Sequence, residues 1–219
     1  MSAKADRGEA HRGPARAAVL ASVRSALADG GPPVPAGRPP PGADVADPVE
    51  LFAERVAEYR ATVRRTEAEG LAVQVAELCA EHQATRIGIP SDLPAEWLPA
   101  GVEFVPDDPP LTPRALDALD GSLTGCALAV AETGSLVLDH GPRQGRRALT
   151  LLPDLHLCVV AEADVVADVP DALAILGAAV RDGRPVTFVS GPSATSDIEL
   201  QRVEGVHGPR RLVVLLVAG

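Results

Sequence analysis

Three stretches of this chain hold almost nothing but small and branched apolar residues: 125–131 (GCALAVA), 155–160 (LHLCVV) and 212–217 (LVVLLV). A strand with one wet face alternates apolar and polar side chains. A run that is apolar at nearly every position is covered on both faces, as in a parallel sheet layered by other elements. Stretches with helical spacing lie before and between these runs. Pro48 suits a first helical turn, and Leu51, Phe52, Val56, Tyr59 and Val63 repeat at three and four residues, predicting one long helix. After Gly70, residues 71–80 continue helically. Residues 86–90 and 101–105 read as short strands and 111–119 as a short helix. Residues 135–138 resume the run that Glu132-Thr133-Gly134 interrupts, 170–180 form a helix ended by Asp182-Gly183, and 185–189 return as a strand. Strands alternating with helices predict an α/β domain on a mainly parallel sheet with helices on both faces.

The N-terminal part differs. Residues 15–28 read as a short helix with Val19, Leu20, Val23 and Leu27 on one side. Residues 30–44 follow with prolines at a density that excludes both helix and sheet. The predicted organisation is an N-terminal helix and Pro-rich strap over 1–47, then an α/β domain over 48–219.

Composition removes several function classes. A formal net charge of −10 opposes nucleic-acid binding, which needs a surplus of Lys and Arg facing phosphates. No apolar run approaches the length of about 20 residues that spans a bilayer. The polar start lacks the apolar core of a secretion signal, so the expected location is the cytoplasm. Cys79, Cys126 and Cys158 form no Cys-x-x-Cys pair, so this chain by itself builds neither a zinc knuckle nor an iron–sulfur cluster. The five histidines show no metal-ligand spacing, and no metal is expected. Lys4 is the only lysine, which excludes a Schiff-base mechanism in the domain. The glycine fingerprints of dinucleotide and P-loop sites are missing as well. Arg143, Arg146 and Arg147 make one basic cluster, either a solvated loop or a ligand contact.

Three segments could carry chemistry. Glu132, Thr133 and Gly134 interrupt an apolar run. Either they form a turn with Glu132 in water, or Glu132 faces a pocket as acid, base or nucleophile. Next, the stretch 189–199 (VSGPSATSDIE) passes through a Gly-Pro turn rich in hydroxyls, with Ser196 and Glu199 spaced as a helix capping box. It is either simple capping or an anion site in which Gly191, Ser193, Thr195 and Asp197 approach the ligand. Finally, His207 lies between Gly205 and Gly208, just before the last strand, as an idle loop histidine or a site residue. Glu132 and Ser193 both follow strands and should share the carboxyl edge of the sheet. His207 joins them only if the last strand runs antiparallel or its loop folds over.

The segments AETGSLVL (131–138), LLPDLHLCVV (151–160) and VSGPSATSDIELQRVEGVHGPRRL (189–212), in this order, resemble the LUD domain of the LutC-type lactate-utilisation proteins. The resemblance covers roughly Pro48 to the end. It implies a fold similar to the sugar-phosphate isomerase and CoA-transferase superfamily. It also implies a role beside two iron–sulfur partner proteins in oxidising L-lactate to pyruvate. The clusters would then sit in the partners, and this chain would be a non-redox subunit with no cofactor of its own and a small anionic ligand. CoA-transferases of that superfamily use a glutamate beside a glycine at a strand end, and Glu132-Thr133-Gly134 is similar, with Thr133 where those enzymes have asparagine. On this reading Glu132 and His207 are catalytic candidates, and Thr133, Gly134, Gly191, Ser193, Thr195, Asp197 and Gly208 line the ligand. Two other readings are a free-standing transferase or isomerase acting on a CoA-linked or phosphorylated small molecule, and a scaffolding protein with a vestigial pocket.

Overall fold

In a computed structural model of the chain, the structure describes residues 14–28, 45–196, 202–204 and 207–218, with the backbone alone at 14, 15, 194–196 and 202–204. Two units are present, residues 1–40 and 41–219. The first contains helix α1 (Pro14–Ala28), on which Val19, Val23 and Leu27 are exposed. The Pro-rich strap over 30–44 lies outside the described residues.

The second unit begins with α2 (Pro48–Glu58), capped by Asp47, whose carboxylate accepts from the Glu50 N–H at 3.0 Å. The apolar stripe predicted one helix through Val63, but the helix stops at Glu58 and Arg60 turns left-handed at φ 65°. Val63 instead lies in strand β1 (Thr62–Glu67), opposite Val214. Val63 continues the helical spacing by coincidence, and its β-branched side chain suits a strand equally well. Then follow α3 (Leu71–Glu81), β2 (Arg86–Ile89), β3 (Glu103–Pro106), the short α4 (Pro113–Asp117) and β4 (Gly121–Gly125). The chain continues through β5 (Leu128–Val130), β6 (Ser135–Leu138), β7 (Leu155–Ala161), β8 (Val165–Val166), α5 (Val169–Arg181) and β9 (Thr187–Val189). It closes with β10 (Ala194–Ser196), β11 (Arg202–Glu204) and β12 (Arg211–Ala218).

Six strands form one sheet in the order β1-β12-β7-β4-β2-β3, and every pairing in it is parallel. The apolar runs at 155–160 and 212–217 are its central strands, β7 and β12, and are buried as their composition predicts. One face packs on α3, with Leu71, Val75 and Leu78 against Leu155, Leu157, Val213 and Leu215. The other face departs from the expectation of helices alone. There Cys158, Val160, Val214 and Leu216 meet Phe52 and Val56 of α2, and also Ala129 and Leu136 of a second sheet.

That second sheet explains why 125–131 does not form one strand. The chain leaves the parallel sheet at Gly125, crosses at Cys126 and Ala127, and enters a four-stranded sheet ordered β8-β5-β6-β9. Here β5 and β6 form an antiparallel hairpin, and β6 pairs antiparallel with β9. The outer side of this sheet packs on α5 through Leu128, Val130, Val137, Ala172 and Leu176. A strand of a second sheet, covered by the first sheet on one side and by α5 on the other, is as fully buried as a parallel strand between helices, so both arrangements produce the same apolar run.

The turn at 190–193 leads into a strand. Residues 194–196 form β10, paired antiparallel with β11, while Glu199 and the helix expected behind Ser196 lie outside the described residues.

Candidate functional site

The amino ends of β1 and β12 collect several of the residues that the sequence singled out. Gly134, in the β5–β6 turn at φ +58°, lies so near α2 that a Cβ would stand 2.8 Å from the Arg55 carbonyl carbon. Gly191 follows β9 at φ +96°, and a Cβ there would stand 2.7 Å from the Tyr59 Cβ. Only glycine accepts both the backbone geometry and the approach. The C-terminal turn of α2 therefore holds both turns, with Ser190 and Ser135 hydroxyls 2.6 Å apart and Ser135 2.8 Å from the Thr133 hydroxyl.

From Gly191 the chain reaches Ser193, whose N–H donates to the Pro209 carbonyl at 2.8 Å. The Ser193 hydroxyl accepts the His207 N–H at 3.0 Å. The last strand is parallel to its neighbours, and His207, just before it, meets Ser193 at the start of that strand. The edge concerned is the amino edge of the parallel sheet, since Pro209 and Arg210 lead directly into β12. The expected carboxyl edge is thereby corrected: β9 belongs to the second sheet, so its end does not follow the six-stranded sheet's direction.

A cleft of about 210 Å³ opens here, lined by Arg147, Thr150, Ser190, Gly191, Ser193 and His207, with Phe188, Val189, Gly208 and Pro209 completing its wall. Among the described residues Arg147 is the one arginine lining it. Burial pulls the Arg147 guanidinium below its ordinary range. Among the described residues no carboxylate stands within ion-pair distance of it, and its side chain reaches the Thr150 hydroxyl at 3.4 Å. A half-buried guanidinium without a counter-ion is costly, and a ligand anion removes that cost. The guanidinium fork and the hydroxyls together suit a small carboxylate or phosphate.

The remaining candidates are dispersed. Glu132 is exposed in the β5–β6 turn, its N–H donating to the Ala167 carbonyl at 3.0 Å, and it is not part of the described cleft lining. Thr133 reaches the cleft indirectly, through Ser135 and Ser190, while Gly134 lies against α2. Thr195 lies in β10 opposite Val203, and Asp197 lies outside the described residues. Among the described residues no group of three or more His, Cys, Asp or Glu could hold a metal ion. No helix there is long and apolar enough to cross a membrane.

Residues 107–217, which carry this cleft, match the LUD domain family. A protein of Deinococcus radiodurans named "Lactate utilization protein C" is 44% identical over 207 residues, spanning 93% of this chain and 95% of that one. The chain is a member of the LUD-domain family. A Bacillus pumilus protein of the same name matches this LUD-domain protein at 39% identity over 92 residues, 40% of this chain and 38% of that one. The crystal structure of a DUF162 family protein from Deinococcus radiodurans superposes with a TM-score of 0.69 at 39% identity, covering 78% of this chain and 97% of that one.

Sequence reasoning grouped Arg147 with Arg143 and Arg146, yet the LUD domain gives the three different surroundings. Arg146 is structural: it holds Asp107 at 2.6 and 2.9 Å and the Leu111 carbonyl at 2.5 Å. Arg143 lies elsewhere, beside Trp97. Only Arg147 faces this cleft. Arg147 directly precedes the stretch Ala148-Leu149-Thr150-Leu151, in which Leu149 and Thr150 are buried. Ser190 lay in the hydroxyl-rich stretch 189–199, while Thr150 had no signal, because an isolated hydroxyl is as common on a surface as in a site.

Proposed function

We propose that this LUD-domain protein is a non-redox subunit of a lactate-utilisation system, which oxidises L-lactate to pyruvate together with two iron–sulfur partner proteins. The observation that carries this reading is the near end-to-end match to a protein named for lactate utilisation. The absence of a Cys-x-x-Cys pair from the sequence agrees with clusters held by partners rather than by this chain. In this reading the chain binds no cofactor, works in the cytoplasm, and holds a small anion in the cleft of Arg147, Ser190, Ser193 and His207. Arg147 supplies charge, the hydroxyls and the Gly191–Ser193 turn supply orientation, and His207 places an imidazole on the cleft lining. Glu132 on an exposed turn weighs against a CoA-transferase-like covalent step.

The test is deletion of the gene in its host, followed by growth on L-lactate as sole carbon source. Growth should fail, return with the wild-type chain, and not return with Arg147→Gln. Iron–sulfur proteins should co-purify with a tagged chain, and lactate-dependent dye reduction by the mixture should need all three. Unimpaired growth of the deletion strain on lactate would sink the reading.

A further inference from the structure

The parallel sheet has a second, opposite edge, where its strands end. Two cavities of about 170 and 300 Å³ open there, and both are bordered by Cys126, Arg143 and Asp164. The smaller is walled by Leu71, Trp97, Val159 and Val217, at the ends of β7 and β12 and the start of α3. Its volume matches an apolar cavity of about 150 Å³ that accepts benzene. Crevices outside the carboxyl ends of parallel strands are where ligands of such sheets bind.

Arg143 is built into this place rather than lying loose on a loop. Its backbone is left-handed at φ 63°, a conformation costly for a side chain that has a Cβ. Two backbone bonds hold it there: its N–H donates to the Asp92 carboxylate at 2.8 Å, and its carbonyl accepts from the Gly125 N–H at 2.8 Å. The loop beneath is fastened by Asp139, which accepts from Gln144 and Arg184, each at 2.8 Å. The guanidinium carbon stands 5.8 Å from the centre of the Trp97 ring. Among the described residues no carboxylate pairs with it, although Asp164 borders the same space.

We infer that this carboxyl-edge crevice is a second ligand site, taking a monoanionic organic acid with a compact, benzene-sized apolar body. The body fills the space between Trp97, Val159 and Val217, and the acid group meets the fork of Arg143. The Asp164 carboxylate repels a second negative charge, so a carboxylate fits and a phosphate dianion does not. A hydrogen bond with the Cys158 thiol and burial together hold the Cys126 thiol well above its ordinary range. Cys126 thus adds no negative charge to the crevice. This site is independent of the Arg147 cleft, which lies at the other edge of the sheet.

Trp97 is the only tryptophan of the chain, so indole emission reports this crevice alone. The experiment titrates the full chain with phenylacetate and follows that emission. A saturable change is expected, with affinity reduced about tenfold or more in Arg143→Gln, the loss of one charge-assisted contact. Phenyl phosphate and benzyl alcohol should each bind more weakly than phenylacetate. Ala161→Leu, at an exposed position on the cavity wall, should block binding without disturbing the fold. Arg147→Gln should leave the titration unchanged. No saturable response, an equal affinity for benzyl alcohol, or an unaltered titration in both Arg143→Gln and Ala161→Leu overturns the proposal.

Discussion

The Ser193 hydroxyl accepts the backbone N–H of His207 at 3.0 Å, joining a loop that leaves the second sheet to one that enters the last strand of the first. The Ser193 N–H donates in turn to the Pro209 carbonyl, so the two loops are cross-tied. Ser193→Ala removes one tie and leaves the other. It should cost about 1 kcal/mol of stability, read as a lower urea midpoint. Anion binding in the cleft should weaken further than that figure implies, because His207 loses its anchor. Calorimetric titration with L-lactate and with phosphate checks this, and unchanged binding of the anion that wild type holds would refute it.

Arg147 and the protein's stability should respond in opposite senses to one substitution. Arg147→Gln removes a partly buried cation that has no counter-ion among the described residues, so thermal stability should hold or rise slightly. Anion affinity should fall about tenfold or more, the loss of a charge-assisted contact. A paired melting and binding measurement decides it: a clear drop in melting temperature would mean that Arg147 is structural.

Three glycines in the left-handed region separate backbone strain from steric approach. Gly183 is at φ +71° with open space where a Cβ would go, so Gly183→Ala should cost about 1 kcal/mol from strain alone. Gly191→Ala adds a clash with Tyr59, and Gly134→Ala adds one with the α2 backbone at Arg55 and Val56. Those two should cost roughly 2 kcal/mol or more, with Gly134 the worse because backbone cannot step aside. Urea unfolding gives the order, and equal losses at all three would contradict it.

His156 should make stability depend on pH in mildly acid solution. It is buried, its Nε2 lies 2.8 Å from the Thr124 hydroxyl, and burial aided by Arg147 lowers its pKa from 6.5 to about 4. The folded state therefore keeps the ring neutral where the unfolded chain protonates it. The unfolded state binds more protons between about pH 6.5 and about pH 4, so stability falls as pH drops through that window. The full loss is on the order of 3 kcal/mol. Urea unfolding across the window should show that slope, and His156→Gln should flatten it whatever its own stability.

How far the sequence reached can be argued from particular residues. The runs at 155–160 and 212–217 predicted buried parallel strands because a side chain's burial on both faces leaves no position for a polar residue. Pro170 marked the start of α5 for a local reason, since a first-turn proline acts within one turn of the chain, and the structure adds the Asp168 carboxylate as its N-cap. The family itself was legible in the same stretches. The end of α2 was not, since Val63 satisfies helical spacing and strand propensity alike.

What the sequence alone determined is therefore whatever depends on neighbours within a turn or two: which segments are buried, where helices begin, and which glycines bend. Only the tertiary structure decided that β5 and β6 leave the parallel sheet for a second one, which moved Ser193 to the amino edge of β12 and left Glu132 exposed. It also decided that Arg143, Arg146 and Arg147, close in sequence, face three different surroundings. Sheet membership and the surroundings of a long side chain are set by contacts between residues far apart in the chain. Local periodicity carries no information about those contacts.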